Sequence, residues 1–348
     1  MIDDETAVLR DTAERIFATH CDHHVVAEAA AGRWPTALWH AVESSGLSLA
    51  LVSEHGGGAA LPVSAALSLI DVAAEYAAPI PLAETMIAAW LLDRAGLAVP
   101  SGHLTFASII GHAQPVNDLW RVSGVAARVP WGGTARVVAL ADSETGPRLF
   151  MLSSDNLVVE PGINIAGEPR DTLKIEVIVD SGATSPSPVS SDQLRALGAA
   201  IRTVQIAGAL RRATDLTLRH ARDRVQFGRS LSQFQAIQQS LAVLATQAAV
   251  SAMAAAMARR AVGEDGLVSK IAIAKARAGE AAGIGAAIAH QIHGAIGFTL
   301  EHDLQFITKR LYAWRDEFGN EVEWNLLYGY RITALGPDRL WPAITSSA

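Results

Sequence analysis

Apolar residues recur at helical spacing towards both ends of the chain and give way to short, strand-like runs in the middle. In DDETAVLRDTAERIFATH, Val8 and Leu9 are answered two helical turns later by Ile16 and Phe17, which predicts a helix. Pro35 opens PTALWHAVESSG, where its fixed φ suits a first helical turn, and Gly46 closes it. SEHGGGAALP reads as a loop. The helical pattern restarts after Pro62 in LPVSAALSLIDVAAEYA, breaks at Pro79 and Pro81, and then runs to about Ala95. HLTFASII, LWRVSGVAARVP, ARVVALAD, RLFMLS and TLKIEVIVD are short, rich in β-branched residues and separated by Gly, Pro, Asn and Asp, as strands joined by turns are. SGATSPSPVSSD, residues 181–192, reads as a polar linker. Helical periodicity then returns in longer pieces, 193–222, 232–262 and 267–293, the last two parted by Gly263 and Gly266. Ser232 and Gln235 have the spacing of a capping box. Three long helices in succession predict an antiparallel bundle.

The expected architecture is therefore mainly α with a small β domain. An N-terminal helical domain spans 1–98, a middle β domain 99–188, and a C-terminal helical bundle 189–348. Alanine-rich composition agrees with closely packed helices, since Ala has the highest helix propensity. The formal charge of −7 gives no electrostatic reason to expect nucleic acid or an anionic membrane. Cys21 is the sole cysteine, so no internal disulfide forms and a reducing cytoplasm is expected. MIDDETAVLR opens acidic, unlike a signal peptide. Leu241–Ala258 runs 18 residues without a charge, close to membrane-span length. Its alanines, with Thr246, Gln247 and Ser251, point instead to a buried bundle helix and no membrane span.

ARDRVQFGRSLSQFQAIQQSLAVLA, residues 221–245, is richer in donors than a helix connection needs. Arg222 and Arg224 follow a helix C-terminus, where cations suit the helix dipole. The alternative is ligand binding. Arginine forks, Gln226, Gln235 and the free N–H groups of the next helix suit a pyrophosphate or other anion, with Phe227 as an aromatic face and Gly228 allowing a reversal. A second stretch, Gln291 to Phe298, sets Gln291 and His293 beside Gly294 and Gly297. Close ligand approach and a plain helix end both explain two such glycines. His20, Cys21, His23 and His24 lie on adjacent positions that diverge on a helix, so no metal site is expected. Gly56–Gly58 lacks the Gly-Lys-Ser/Thr of a phosphate loop, and no GxSxG is present.

These two stretches resemble the acyl-CoA dehydrogenase family. Arg224, Phe227, Gly228, Phe234, Gln235, Leu241 and Ala242 follow its R-x-x-F-G, F/H-Q, L-A pattern. Gln291, Gly294, Gly297 and Phe298 follow Q-x-x-G-G-x-G-[FY], with Ala295 at the second glycine. The domain order matches as well. The resemblance implies an FAD enzyme oxidising an acyl-CoA substrate to the trans-2-enoyl-CoA in β-oxidation-type catabolism, with electrons passed to an electron-transferring flavoprotein. It further implies a middle β-barrel-like domain, a C-terminal four-helix bundle, and a homo-oligomer or heteromer. Arg224, Gln226, Phe227 and Gln235 would contact the FAD of a neighbouring subunit. Gln291, His293, Gly294 and Gly297 would line it from the other side.

The chain also departs from that family. Ungapped counting from Gln291 places Phe318 where most members carry the catalytic Glu. The alternative Glu position, 29 residues before Phe227, is Gly198. A one-residue shift makes Glu317 the candidate base, or Asp316 beside it. The bland reading of AWRDEFGNE is an exposed ion-pair loop around Arg315. A further reading is a partner subunit without its own base, as in heteromeric bacterial members that handle bulky, steroid-like or branched side chains. A flavin oxidase or monooxygenase on the same fold is the third. The family's T-E-P-x-A-G-S-D loop is replaced by LTFASIIGHAQP. Trp131 stands where a flavin-side strand residue is expected, with a core tryptophan as the plainer reading.

Overall fold

Apolar spacing and its punctuation translate directly into helices in the computed structural model, which describes residues 2–346. α1 (Ile2–His20) and α2 (His23–Ala30) precede α3 (Thr36–Ser44), which runs from Pro35 to a left-handed Gly46. α4 (Val63–Glu75) and α5 (Leu82–Arg94) follow, then β1 (Leu104–Ser108), β2 (Ile110–Val116), β3 (Leu119–Pro130), β4 (Arg136–Ala141), β5 (Arg148–Leu152), β6 (Val158–Glu160), β7 (Arg170–Asp180) and β8 (Thr184–Pro186). The 33-residue α6 (Ser191–Asp223) leads to β9 (Val225–Gln226) and β10 (Arg229–Ser230). Then come α7 (Gln235–Ala261), α8 (Leu267–His293), α9 (Leu304–Asp316), α10 (Glu321–Leu335) and α11 (Pro337–Ser346).

Contacts gather the chain into two units. One comprises Glu28–Ala66 and Pro79–Leu197. It holds two four-stranded sheets, ordered β1-β4-β5-β8 and β2-β3-β7-β6. β1 and β4 pair in parallel and the other neighbours antiparallel. The alternation of buried and exposed residues along β3 and β7 turns Val122, Ala126, Leu173 and Ile175 into a core shared with Val137, Ala139 and Phe150. α5 is buried along Leu82–Leu92 and packs on β1, where Thr85 exchanges hydrogen bonds with the Leu104 backbone.

The other unit comprises Met1–Ala27, Leu67–Ala78 and Gly198–Ala348. α7 and α8 lie side by side, parted by Gly263 and Gly266 at φ 90° and 77°. α8 also packs against α9 and α10. Its buried face, Ala274, Ala278, Ala281, Ala282 and Gly285 among others, lets neighbouring backbones approach closely.

Three sequence expectations are corrected. The Ser181–Asp192 linker contains a strand, β8, paired with β5. Its three residues are too few for periodicity, and Pro186 at the sheet edge needs no donor. The Ser232/Gln235 capping box does not form. A 3₁₀ turn, Leu231–Gln233, precedes the helix and Phe234 is the N-cap, so Ser232 lies too early. α7 is not a buried helix: only 28% of its most apolar 18-residue window is buried. α8 covers one face, while Val243 and Met253 stay exposed on the other.

Candidate functional site

α9 stops at Asp316, and Glu317 leaves it in extended backbone (φ −71°, ψ 139°). Phe318 and Gly319 then take φ of 57° and 101°. Asn320 caps α10, its side chain accepting from the N–H groups of Val322 and Glu323. A bulky residue in the left-handed region is an outlier that its surroundings must hold. Three helices do so here. From α6, the fully buried Arg202 donates through Nε to Glu317 Oε2 at 2.6 Å, and its guanidinium lies 5.5 Å from the Phe318 ring centre. From α8, the buried Lys275 donates to the carbonyl oxygens of Arg315 (2.6 Å) and Gly319 (2.8 Å). From α10, the buried Trp324 donates its indole N–H to Phe318 O at 3.1 Å.

The ion pairing differs from the exposed loop that AWRDEFGNE suggests. Arg315 engages both carboxylate oxygens of Glu321, not Glu317, and so holds the Glu321 carboxyl below its usual range. Burial pushes the Lys275 ammonium down to about 7, against the opposing pull of Glu317 and Glu321. Phe318 lies directly over Gly198, where an added Cβ would stand 2.3 Å from the ring. The two positions at which the family resemblance places a base thus meet in space, as a phenyl ring against a hydrogen atom. A carboxylate at 198 is incompatible with Phe318 in this position.

The donor-rich stretch has the opposite character. β9 and β10 form a two-residue hairpin around Phe227 (φ 52°) and Gly228 (φ 80°), with Gln226 opposite Arg229. Phe227 is 93% exposed and meets Phe234 edge-on; Arg229 lies 4.1 Å over the Phe234 ring. Arg224 and Gln235 are exposed and Gln226 half-buried. No hydrogen bond ties their side chains to another described residue. These unspent donors stand beside the N-terminal amides of a 27-residue helix, a donor set that fits a pyrophosphate.

Beyond α8 the structure divides the expected residues. Gln291 is exposed. His293 is buried, bonded through Nδ1 to Ala289 O at 2.8 Å and stacked on His220 at 4.4 Å, and burial pushes its imidazole down to about 4. Gly294 ends the helix at φ 64°. A Cβ on Gly297 would press on His293 and Leu304, so packing within the chain already accounts for that glycine. Trp131 is buried, with Arg170 over its ring at 5.2 Å. Cys21 is buried too, its thiol pushed up to about 12 by desolvation.

Sequence reasoning did not single out Arg202, Lys275 or Trp324. Arg202 and Lys275 carry a readable signal: each interrupts an apolar helical stripe, Lys275 lying between Ile271 and Ala278 and Arg202 between Gly198 and Ile206. A charge there must be paired or strongly hydrogen-bonded.

Residues 196–316 match the sequence profile described as acyl-CoA dehydrogenase, C-terminal domain. The acyl-CoA dehydrogenase FadE34 of Mycobacterium tuberculosis is 29% identical over 299 residues, 83% of this chain. The chain spans only 40% of that relative's length. The acyl-CoA dehydrogenase IpdE2 of Mycolicibacterium smegmatis is 28% identical over 319 residues, covering 89% of this chain and 93% of the relative. The fold is similar to that of the Tcur3481-Tcur3483 steroid ACAD G363A variant, with a TM-score of 0.87, 22% identity and 96% and 99% of the two chains covered. It is also similar to the ChsE4-ChsE5 complex from Mycobacterium tuberculosis, with a TM-score of 0.85, 20% identity and 95% and 98% covered. The matched profile and the two curated relatives make this chain similar to acyl-CoA dehydrogenases, and the solved structures share its fold.

Proposed function

We propose that this chain is one subunit of a cytoplasmic, FAD-dependent acyl-CoA dehydrogenase that forms trans-2-enoyl-CoA and passes electrons to an electron-transferring flavoprotein. A second, related subunit supplies the catalytic base. The observation that carries this reading is the 317–319 turn. Abstraction of the α-proton needs a carboxylate free to accept it. Glu317 is committed to a buried guanidinium, and Phe318 occupies the space beside Gly198. Proton uptake by Glu317 would break its ion pair with the buried Arg202, a cost that disfavours Glu317 as a proton acceptor.

In this reading the chain's contribution is to hold the cofactor. Bound FAD supplies the hydride acceptor. Arg224, Gln226 and Gln235 would hold its pyrophosphate from the hairpin and the start of α7, and Phe227 would offer it an aromatic face. Gln291 adds a donor from the end of α8, while His293, Gly294 and Gly297 shape that end from within. The uncovered face of α7 is the surface through which a second subunit packs. The alternative keeps Glu317 as the base in this chain. It is favoured by the side chain's place next to Phe318 and its 16% exposure.

The deciding experiment is an anaerobic visible spectrum of the chain alone and co-expressed with a related subunit. The acyl-CoA panel spans short, branched and steroid-like side chains. Flavin bleaching only in the co-expressed protein is expected. Bleaching by the chain alone overturns the partner-subunit reading and returns the base to Glu317; that assignment fails in turn if Glu317→Gln still turns over. Rapid reoxidation by air would instead indicate oxidase or monooxygenase chemistry.

A further inference from the structure

We propose that Lys275 is the positioning residue of the 317–319 turn, its ammonium joining the carbonyl oxygens of Arg315 and Gly319 so that Glu317 stays on Arg202 and Phe318 stays on Gly198. The functional meaning of that placement rests on reading the turn as a wall of the acyl-CoA site. The positioning itself does not.

The geometry points to a clamp. Arg315 lies in the last turn of α9, where carbonyl oxygens lack intrahelical donors. Gly319 is the second residue of the left-handed pair, and its carbonyl closes the turn. One ammonium therefore bridges the two sides of a strained reversal, at 2.6 Å and 2.8 Å. A cation is also favoured at a helix C-terminus. The charged groups that face Lys275 are Glu317 and Asp316 after and at the end of α9, Glu321 on α10, and Arg202 on α6. Glu317 is paired with Arg202 and Glu321 with Arg315, so three carboxylates face two guanidinium groups before Lys275 is counted. A buried methylene chain would fill the same space on α8 but could not satisfy two carbonyls or balance these charges. Bonds from a charged donor are about twice as strong as those from a neutral amine. The turn should therefore loosen when Lys275 gives up its proton, although the neutral amine keeps two N–H groups.

The chain has four lysines, Lys174, Lys270, Lys275 and Lys309, so ¹³Cε-lysine labelling gives a small, assignable set of resonances. One resonance should titrate well below the other three and disappear in Lys275→Met. Hydrogen–deuterium exchange across residues 311–325 reads the turn itself. In Lys275→Met, exchange there should quicken by roughly ten-fold or more while residues 241–258 keep their protection. In the wild type, protection corrected for intrinsic rates should fall as the Lys275 resonance titrates. Wild-type protection in Lys275→Met overturns the proposal. If that variant does not fold, the wild-type pH series decides alone: protection that stays flat through the Lys275 titration overturns it, and protection that follows the titration supports it. Neither measurement uses flavin or substrate, so a failed dehydrogenase assay leaves this result intact.

Discussion

The chain reverses twice through a Phe-Gly pair with left-handed backbone, and the two reversals have little else in common. Phe227-Gly228 sits at φ 52° and 80°, Phe318-Gly319 at 57° and 101°. The first ring is almost wholly exposed, and the donors around it are unspent. The second ring is packed against Gly198, with Arg202, Lys275 and Trp324 converging on its turn. The local backbone alone does not separate a ligand-facing corner from a locked one. The difference lies in what the neighbouring helices bring to it: polar groups left over in one case, and polar groups consumed in the other.

That contrast is sharpest in stability. Replacing Glu317 by Ala removes an ion pair from a buried guanidinium and should cost about 3 kcal/mol or more in urea unfolding. A loss below about 1 kcal/mol would mean the turn is not locked as described. The next effect is a pH dependence. The folded-state pKa of Lys275, about 7, lies below its ordinary value of 10.5. Between these values the unfolded chain binds the extra proton, so stability rises with pH, at up to about 1.4 kcal/mol per unit. The contribution is complete above the unfolded pKa and is lost as pH falls to about 7. Comparing wild type with Lys275→Met from pH 7 to 9 isolates this slope; parallel curves would contradict it. Smallest of all, Arg224→Ala should change stability by no more than about 0.5 kcal/mol, because its side chain is exposed and hydrogen-bonded to no other described residue. Its effect belongs in flavin binding, read as loss of the visible band from protein purified in the assembled state. A fully flavin-loaded Arg224→Ala variant would remove the residue from the cofactor site.

Sequence reasoning reached the two turns unequally. The hairpin is legible because its chemistry is local: Arg224, Gln226, Phe227, Gly228 and Gln235 lie within twelve residues. The locked turn draws on α6, α8 and α10, with Arg202 115 residues from Glu317. Counting along the chain names Gly198 and Phe318 separately but does not show that they touch. The same distinction holds for the fold. Long strands such as β3 and β7 are visible in their alternation, whereas β6 and β8, three residues each, exist only through pairing with β7 and β5. The open face of α7 illustrates the limit from the other side. Its apolar composition implies burial, yet Val243 and Met253 stay exposed and only 28% of its most apolar 18-residue window is buried.

The contact between Gly198 and Phe318 imposes an order on change. A larger side chain arriving first at 198 collides with the ring, whereas trimming the ring first leaves space that a longer side chain can later enter. The two positions are epistatic, and a route by which this chain acquired a carboxylate at 198 would begin with the loss of Phe318.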